Sequence, residues 1–523
     1  MKGRYDFTQE MVELFAEGRT KGIFQLDKQS NWSKKVEPGN LLQLSDLIAI
    51  IRPGCTRALM DGKSMTQWYV DRKNGTEAVE YIHDSLEPIL AATQGVLVYQ
   101  EQAMTISVEL AGFNLQEADD LRKAIGKKKA DLMKKVRVKF ENGCIITRIV
   151  NEEEADEIFG WIEKSSRYSF NKSHSICYAA NAYDTAFYKA HYPLEFFCSS
   201  LEFAKASLDP HEEVRELATD AKYYGIEIVC PSVIGYSKEF EILDNHRIRF
   251  GLSSVKSLTG VNGDKLFDAI TEVEELLQKP VQDMSWVEIL IYLSPLVNKR
   301  AFTSLCTIGF FNSGKNNAHL TRNKSLYQYL AFKSVINKTE LKWLQDNYDR
   351  FQWSDVVSMF YTLAPLKKEG GGTNTPGRKE AITNEIYVLE NPPFDLQDDP
   401  MWVATEEIKL MGTPVSIAKI ESADTSQANT TCKDVLDGKR GDGIYIAANV
   451  IKIHNHKIKK KGKNEGKMMS FLTLEDSSGA IEAIAFPEAR DKHVHLLYED
   501  CNALFFGNVD DNGTMILEKM YEL

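Results

Sequence analysis

The 523-residue chain lacks the patterns that indicate a metal-stabilised, disulfide-bonded or membrane protein. Its eight cysteines are scattered, and no two of them are spaced as Cys-x-x-Cys. We therefore expect no zinc site and no disulfide framework, and we expect a reducing cytoplasm as the compartment. No apolar run reaches 18 residues, and the first residues lack the apolar core of a signal peptide, so we expect no membrane contact.

Two further absences concern charge. The formal net charge is −12, which does not indicate a nucleic-acid partner for the chain as a whole, although a local basic stripe can act independently of the total. The sequence also contains no Asp-x-Asp, the spacing by which one strand can hold two carboxylates against a pair of metal ions. A complete two-metal site is therefore not expected within these residues.

The residue pattern predicts a multidomain, mainly α-helical chain with a C-terminal all-β barrel. An apolar stripe at Leu132, Val136 and Phe140 is typical of the helical region at residues 1–200. More helices are predicted after it, with a short β-like interlude at 225–251, and the Gly- and Pro-containing residues 367–379 indicate a linker. From residue 444, five β-rich runs alternate with turns, and residues 510–513 (DDNG) predict a hairpin. Such runs fit a small closed barrel of the OB type.

Residues 121–139 form a cationic segment in an otherwise acidic chain. They hold nine basic residues and one acidic residue. A charge run of this kind is often a solvated helix face. The alternative is an anion grip, because Gly126 is predicted to interrupt the helix and could fold Arg122 and Lys123 towards Lys127 and Lys128. The residues alone leave both interpretations open.

A second polar cluster lies at residues 170–175 (FNKSHS). Lys172 supplies a positive charge, Asn171 and Ser173 supply neutral hydrogen-bonding groups, and His174 supplies a flat ring that can lie against a ribose. A polar stretch before an aromatic helix is more often a helix cap. The segment is therefore a candidate phosphate-and-sugar site, with a cap as the alternative.

Seven motifs occur in an order that resembles a known family. They are residues 20–26 (TKGIFQL), 52–54 (RPG), 70–75 (VDRKNG), 95–102 (GVLVYQEQ), 121–129 (LRKAIGKKK), 170–175 (FNKSHS) and 190–196 (AHYPLEF). Together they resemble the fingers region of the bacterial DNA polymerase III alpha subunit, the C-family replicative polymerase. Residues 225–251 resemble the start of that family's helix-hairpin-helix region, and residues 467–476 (KMMSFLTLED) resemble its OB domain.

The resemblance implies four regions. They are a polymerase fingers domain at 1–200, a helix-hairpin-helix and clamp-binding-like region at 201–365, a linker and small connecting segment at 366–440, and an OB-fold domain at 441–523. It also implies a site for the incoming dNTP made by Arg122, Lys123, Lys127, Lys128, Asn171, Lys172, Ser173 and His174. In that site His174 would exclude a ribose 2′-hydroxyl.

The C-terminal half offers candidate DNA-binding residues. A basic loop that includes Lys459, Lys460 and Lys461 precedes the strand of Phe471, and OB folds hold single strands by charge and by base stacking. Phe471 is also a candidate core residue. Lys256 lies where the family's first DNA-binding hairpin is expected. Residues 328–332 (QYLAF) faintly resemble a sliding-clamp peptide, with an ordinary helix as the alternative.

We interpret the chain as the C-terminal part of a split C-family DNA polymerase. The palm aspartates and their Mg²⁺ ions are then expected on a separate N-terminal polypeptide, and the chain alone is expected to be inactive. Its expected partners are dNTP, primer-template DNA, that polypeptide and a sliding clamp, in a bacterial or phage-infected cytoplasm. One alternative is a non-catalytic DNA-binding accessory protein. Another is a complete enzyme that binds metal through Asp119-Asp120 or Glu475-Asp476.

Overall fold

The computed structural model describes residues 5–57, 59–60, 62–127, 130–165, 168–458, 462 and 464–523. The chain divides into two compact units, residues 1–193 and residues 194–523. Helices dominate both units, and the second ends in a β-barrel, which confirms the predicted fold class. In the parts of the chain that the structure describes, no helix is long and apolar enough to cross a membrane. The four predicted domain boundaries remain predictions.

The first unit is helical apart from one short hairpin. Its elements are α1 (Gln9–Ala16), α2 (Ser30–Val36), α3 (Leu41–Ile50), α4 (Pro53–Arg57), β1 (Leu59–Met60), β2 (Lys63–Ser64), α5 (Met65–Lys73), α6 (Glu87–Leu90), α7 (Gln100–Ala111), α8 (Leu115–Lys127), α9 (Ala130–Thr147), α10 (Glu152–Ser165) and α11 (Lys172–His191). Several begin at a polar cap. The side chains of Thr8, Asn40, Ser64 and Asn171 each accept a hydrogen bond from the backbone amide three residues later.

Two separate apolar cores hold this unit together. One is built by residues of α1, α3, α5 and α11, and it includes Tyr99 just before α7. The other is built by α7, α8, α9 and α10, where Val136 and Phe140 of the predicted stripe are buried. The two cores meet at the start of α7, where Phe170 exchanges backbone hydrogen bonds with Val98 (3.0 Å) and Gln100 (2.9 Å). This pairing brings residues 170–175 beside the start of α7.

The helix break predicted at Gly126 lies one residue later in the structure. Helix α8 continues through Gly126 and ends at Lys127, and α9 begins at Ala130, still within the cationic segment. Leu121, Ala124 and Ile125 on one face of α8 are fully or almost fully buried, so burial of that face sustains the helix up to and past the glycine. Lys128 lies outside the described residues, so an anion held between the two halves of the cationic segment stays a prediction.

The second unit carries a larger helical core and a small sheet. Its helices are α12 (Pro193–Ala204), α13 (Pro210–Tyr223), α14 (Val261–Leu277), α15 (Trp286–Glu288), α16 (Lys299–Thr307), α17 (Arg322–Val335), α18 (Lys338–Phe351), α19 (Val356–Leu363), α20 (Pro376–Glu390), α21 (Pro400–Met411), α22 (Cys432–Leu436) and α23 (Pro487–Lys492). Strands β3 (Glu227–Val229), β4 (Glu241–Ile242) and β5 (Arg247–Arg249) form a sheet in the order β3-β5-β4. This sheet confirms the predicted β interlude.

Residues 366–440, predicted as a linker and small connecting segment, include two helices of the second unit. Helices α20 and α21 occupy much of this range, and Ile382, Ile386 and Met411 lie in the same apolar core as α14 to α19. The glycines at its start form a tight turn, because a Cβ added at Gly371 would lie 2.0 Å from the Pro365 carbonyl oxygen. These glycines permit close packing of the backbone and do not loosen it.

The C-terminal strands form a closed five-stranded barrel. They are β6 (Gly441–Lys457), β7 (Met468–Asp476), β8 (Gly479–Ala485), β9 (Asn502–Val509) and β10 (Met515–Glu522), in the order β10-β8-β7-β6-β9. All pairs are antiparallel except β8 with β10. Each of the five predicted β runs falls largely on one of these strands, and the predicted hairpin turn joins β9 to β10. The barrel prediction is confirmed.

Candidate functional site

The start of α11 is fixed by a carboxylate on α7. The Asn171 side-chain oxygen accepts from the His174 amide (2.9 Å), and the Asn171 side-chain amide donates to Glu101 Oε1 (2.7 Å). Glu101 Oε2 accepts from the Lys172 backbone amide (2.9 Å). Asn171 is therefore the helix cap that the alternative interpretation expected, and both ends of its amide are occupied. The carboxylate of Glu101 also neutralises part of the positive end of the α11 dipole.

The three residues after the cap present their side chains to solvent. Ser173 and His174 are exposed, and Lys172 is half-buried with Nζ 5.6 Å from the centroid of the Tyr99 ring. The His174 ring lies between two aromatic rings, with centroid distances of 5.3 Å to Phe170 and 4.1 Å to Tyr178. These contacts hold the imidazole as a fixed surface. An ammonium, a hydroxyl and a flat ring thus lie in consecutive positions, as the sequence predicted.

The cations of α8 have acidic partners on their own helix. Arg122 donates to Asp119 at 2.7 Å, and Lys123 donates to Asp119 at 2.9 Å and to Asp120 at 3.3 Å. These hydrogen bonds raise the pKa of Lys123, and the bonds from Lys123 and Arg122 lower the pKa of Asp119. Lys127 ends α8, and Lys128 lies outside the described residues. The carboxylate of Asp119 therefore competes with any anion for the donors of Arg122 and Lys123.

The described contacts do not join the two predicted halves of the site. The helix that carries Arg122 and Lys123 packs into the core of α7 to α10, whereas α11, which follows Asn171, packs into the core of α1, α3 and α5. Helix α7 connects them, since Glu101 at its start binds the α11 cap and its later residues pack beside α8. The structure thus gives two separate cationic groups, one on α8 and one at the start of α11, and both elements contact α7.

Removing the carboxylate of Asp119 should strengthen anion binding by α8. Asp119→Asn leaves Arg122 and Lys123 without their shared ionic partner. For dATP, a member of the ligand class that the sequence resemblance implies, the dissociation constant should then fall by a factor of about 2 to 5, the range of an exposed ion pair. Titration calorimetry of the full chain measures this change. Glu109→Gln on α7 is the control and should leave the constant unchanged. Weaker binding by Asp119→Asn would contradict competition between Asp119 and the nucleotide.

The acidic pairs suggested as metal ligands are engaged in protein contacts. Asp119 and Asp120 bind the cations of α8. Glu475 accepts from Thr219 and Lys222 of α13, both at 3.1 Å. Asp476 accepts from the backbone amides of Cys432 (2.7 Å) and Ser478 (2.8 Å). These contacts explain both pairs without a metal.

The predicted DNA-binding residues of the second unit are partly described. Lys256 is exposed in the turn before α14, and its backbone amide donates to the Leu410 carbonyl (2.9 Å). Phe471 is half-buried on the outer side of β7 and pairs with His454 of β6, so it is not a residue of the barrel core. Lys459, Lys460 and Lys461 lie outside the described residues.

The segment that faintly resembled a clamp peptide is part of helix α17. Tyr329 and Phe332 are 0% and 3% exposed and belong to the core of the second unit. A clamp peptide must offer its aromatic side chains to a partner, whereas these two are buried. The ordinary-helix interpretation is correct for residues 328–332.

Two residues next to the candidate site, Glu101 and Arg52, were not predicted from the sequence as site residues. Glu101 was noticed only as part of a motif, yet it binds both Asn171 and Lys172. Arg52, also within a quoted motif, lies with its guanidinium carbon 4.1 Å from the centroid of the Phe170 ring. The sequence offered one signal for Glu101: a carboxylate predicted near the start of a helix can bind the amides of another helix start.

The sequence of this chain is similar to those of known proteins. Residues 6–147 match the family described as bacterial DNA polymerase III alpha subunit finger domain. The chain is 30% identical over 507 residues to the DNA polymerase III subunit alpha of Aquifex aeolicus, covering 96% of this chain and 38% of that protein. The corresponding protein of Pasteurella multocida is 30% identical over 510 residues (95% and 39%), and that of Escherichia coli O157:H7 is 28% identical over 521 residues (96% and 40%).

These matches identify the chain as a homologue of DNA polymerase subunits. Over 96% of its length the chain is similar to a bacterial DNA polymerase III alpha subunit. The chain spans about two-fifths of the length of the curated relatives it matches, with 38% of the Aquifex aeolicus protein covered. Arg122 and Lys123 lie inside the range matched by the finger-domain family, and Asn171 to His174 lie beyond it.

Proposed function

We propose that this chain supplies the fingers, a helix-hairpin-helix region and an OB-type domain to template-directed DNA synthesis. It binds the incoming dNTP and primer-template DNA, while a partner chain carries the palm aspartates. The observation that carries the proposal is the start of α11, where Lys172, Ser173 and His174 reach solvent together beside a fixed cap. The proposal is supported by similarity to DNA polymerase III alpha subunits over 96% of the chain.

Each exposed side chain suits one part of a nucleotide. The Lys172 ammonium attracts the triphosphate, and the Ser173 hydroxyl can donate to a phosphate or sugar oxygen. The His174 ring, held between Phe170 and Tyr178, forms the wall that excludes a ribose 2′-hydroxyl. Arg122 and Lys123 provide further charge for the triphosphate when they leave Asp119. The share of this chain in the reaction is positioning and charge neutralisation.

The carboxylates near this site do not fit a pair of Mg²⁺ ions. Glu101 binds Asn171 and Lys172, and Asp119 and Asp120 bind the α8 cations, so each is engaged in another role. The sequence also has no Asp-x-Asp. Polymerase chemistry relies on metal ions that bind the reacting oxygens and phosphates. We therefore place the Mg²⁺ ions on the partner and expect the chain alone to be inactive, in a bacterial or phage-infected cytoplasm.

The proposed contacts with DNA are made by residues of the second unit. Lys256 offers an exposed cation to a duplex phosphate, and Phe471 lies on an outer barrel face, where a base can stack. The closed five-stranded barrel supports an OB-type domain. The lysines at 459, 460 and 461 would add charge along a single strand. A sliding clamp stays a proposed partner, although residues 328–332 are not its docking segment.

Nucleotide binding by the full chain is the first test. Wild type should bind dATP in calorimetry, and Lys172→Ala or Arg122→Ala should raise the dissociation constant about tenfold, the loss of one charge-assisted hydrogen bond. Lys164→Ala, an exposed lysine of α10, is the matched control and should bind as wild type. An unchanged dissociation constant in Lys172→Ala would refute the proposed contact between Lys172 and the triphosphate. DNA binding without any dATP binding would favour the accessory-protein alternative.

Primer extension tests the division of labour. The chain alone should not extend a primer, and the chain with a palm-carrying partner should. In that pair, His174→Ala should raise ribonucleotide incorporation relative to dNTP, because the sugar wall is removed. Extension by the chain alone would overturn the split arrangement. If His174→Ala leaves ribonucleotide incorporation unaltered, the sugar-wall role is wrong.

A further inference from the structure

A buried carboxylate lies next to the start of α11, and the proposed function does not yet use it. Asp46 of α3 is 4% exposed. Its Oδ1 accepts from the Tyr99 hydroxyl at 2.7 Å, and its Oδ2 accepts from the Tyr69 hydroxyl at 3.0 Å. A buried charge is tolerated only when donors satisfy it, so these two hydroxyls and the carboxylate hold one another in place. Asp46 thereby ties α3 to α5 and to the residue before α7.

Hydrogen bonds connect the Asp46 network to the first turn of α11. The Ser45 hydroxyl lies 3.0 Å from the Tyr99 hydroxyl, and the Ser175 hydroxyl in the first turn of α11 donates to the Ser45 carbonyl at 2.7 Å. Two residues after Tyr99, Glu101 binds the cap and the first amide of α11. Movement of Tyr99 would therefore displace both the cap and the first turn of α11.

The charge of Asp46 also acts on Lys172. Burial raises the pKa of Asp46 to about 6, while the hydroxyls of Tyr99 and Tyr69 and the charge of Lys172 act to lower it. The groups that face the carboxylate are thus Tyr69 of α5, Tyr99 before α7 and Lys172 of α11. At neutral pH the carboxylate is ionised and attracts the Lys172 ammonium, which lies 5.6 Å from the Tyr99 ring centroid.

We propose that Asp46 is a positioning residue for nucleotide binding: it holds the first turn of α11 through Tyr99 and Ser45 and holds the Lys172 ammonium over the Tyr99 ring. This inference rests on the proposed function, since it assigns Asp46 to the same site. Asp46 does not touch the nucleotide. It acts through Lys172, so the two residues form one unit whose substitutions are not additive.

A double-mutant cycle in the full chain tests this coupling. By calorimetry with dATP at pH 7.5, Asp46→Asn should raise the dissociation constant about tenfold, and Tyr99→Phe about threefold. Adding Asp46→Asn to Lys172→Ala should change it less than about twofold, because the partner is already absent. Tyr329→Phe is the control, since it removes a buried hydroxyl that has no hydrogen-bond partner among the described residues. Full additivity would overturn the proposal.

The pH dependence separates this role from a merely structural one. As the pH falls from 7.5 to 5, wild-type Asp46 gains a proton and comes to resemble asparagine. The tenfold difference between wild type and Asp46→Asn should therefore shrink towards 1. Protonation of the nucleotide affects both proteins equally and cancels in the ratio. A ratio that does not change with pH would overturn the charge-based role.

Hydrogen exchange tests the anchoring directly and does not depend on nucleotide. In Asp46→Asn, the amides of residues 171–175 should exchange about tenfold faster, while those of α18 in the second unit should not change. Wild-type binding of dATP together with equal binding and equal exchange in Asp46→Asn would overturn this inference alone. If wild type does not bind dATP, the proposed function fails and this inference fails with it.

Discussion

Replacing Glu407 with alanine is expected to lower the free energy of unfolding of the second unit by about 3–5 kcal/mol, the cost of breaking a buried ion pair. Glu407 on α21 is 0% exposed and accepts from the Arg322 guanidinium at 2.8 Å. It also accepts from the backbone amides of Val415 (2.6 Å) and Ser416 (2.9 Å). Alanine would leave a nearly buried guanidinium and two amides without their acceptor.

The neighbouring Glu406 provides a matched control. It lies on the same helix, and among the described residues its one ion pair is with Lys409, one turn later, at 3.1 Å. Glu406→Ala should therefore change the free energy of unfolding by no more than about 0.5 kcal/mol. Urea unfolding followed by circular dichroism and by tryptophan fluorescence measures both variants. Equal stability of the two variants would show that the Arg322–Glu407 pair contributes nothing.

Gly143→Ala is expected to destabilise the first unit by about 3 kcal/mol, the upper range for overpacking. Gly143 lies within α9, and a Cβ built there would be 2.1 Å from the Ala111 carbonyl oxygen at the end of α7. Because this neighbour is backbone, it cannot move aside without shifting α7 against α9. The change would also disturb the helix that carries Glu101, so we expect weaker dATP binding as well.

Gly160 on α10 gives the opposite expectation. It too lies within a helix, yet apart from its chain neighbours and the backbone of its own helix, no atom of the described residues lies within 4 Å of a Cβ added there. Gly160→Ala should therefore stabilise the unit by about 0.5–1 kcal/mol, because alanine loses less backbone freedom on folding. Thermal denaturation of the two variants compares them directly. Destabilisation by both would mean that helix context, and not the contact with Ala111, sets the cost.

Local patterns predicted the barrel well. Strand β8 alternates buried side chains with less buried ones, and Gly513 has a positive φ of 80° in the turn where the Asp-Asn-Gly signal lay. Glycine was a less exact signal elsewhere. Helix α8 continues through Gly126 to Lys127, because burial of Leu121, Ala124 and Ile125 supports the helix, and Gly371 lies in a packed turn.

The candidate site was only half visible in the sequence. Asn171 to His174 could be found because they are consecutive and resemble a family motif. Glu101 and Asp46 could not, because Glu101 is 70 residues from Asn171 and Ser45 is 130 residues from Ser175. Their roles depend on which helices pack together, and a single sequence carries no direct record of such pairings. The ion pairs of Arg122 with Asp119 were within reach, since helix spacing of three places them side by side.

The occupied cap of α11 has a consequence for what the site retains. A free helix end captures any phosphate, but here the carboxylate of Glu101 already fills that position and repels a second anion. Affinity must then come from side chains that recognise a whole nucleotide, so inorganic phosphate or pyrophosphate alone is held weakly. Under the proposed function, pyrophosphate would therefore leave this site readily and would compete little with the next dNTP.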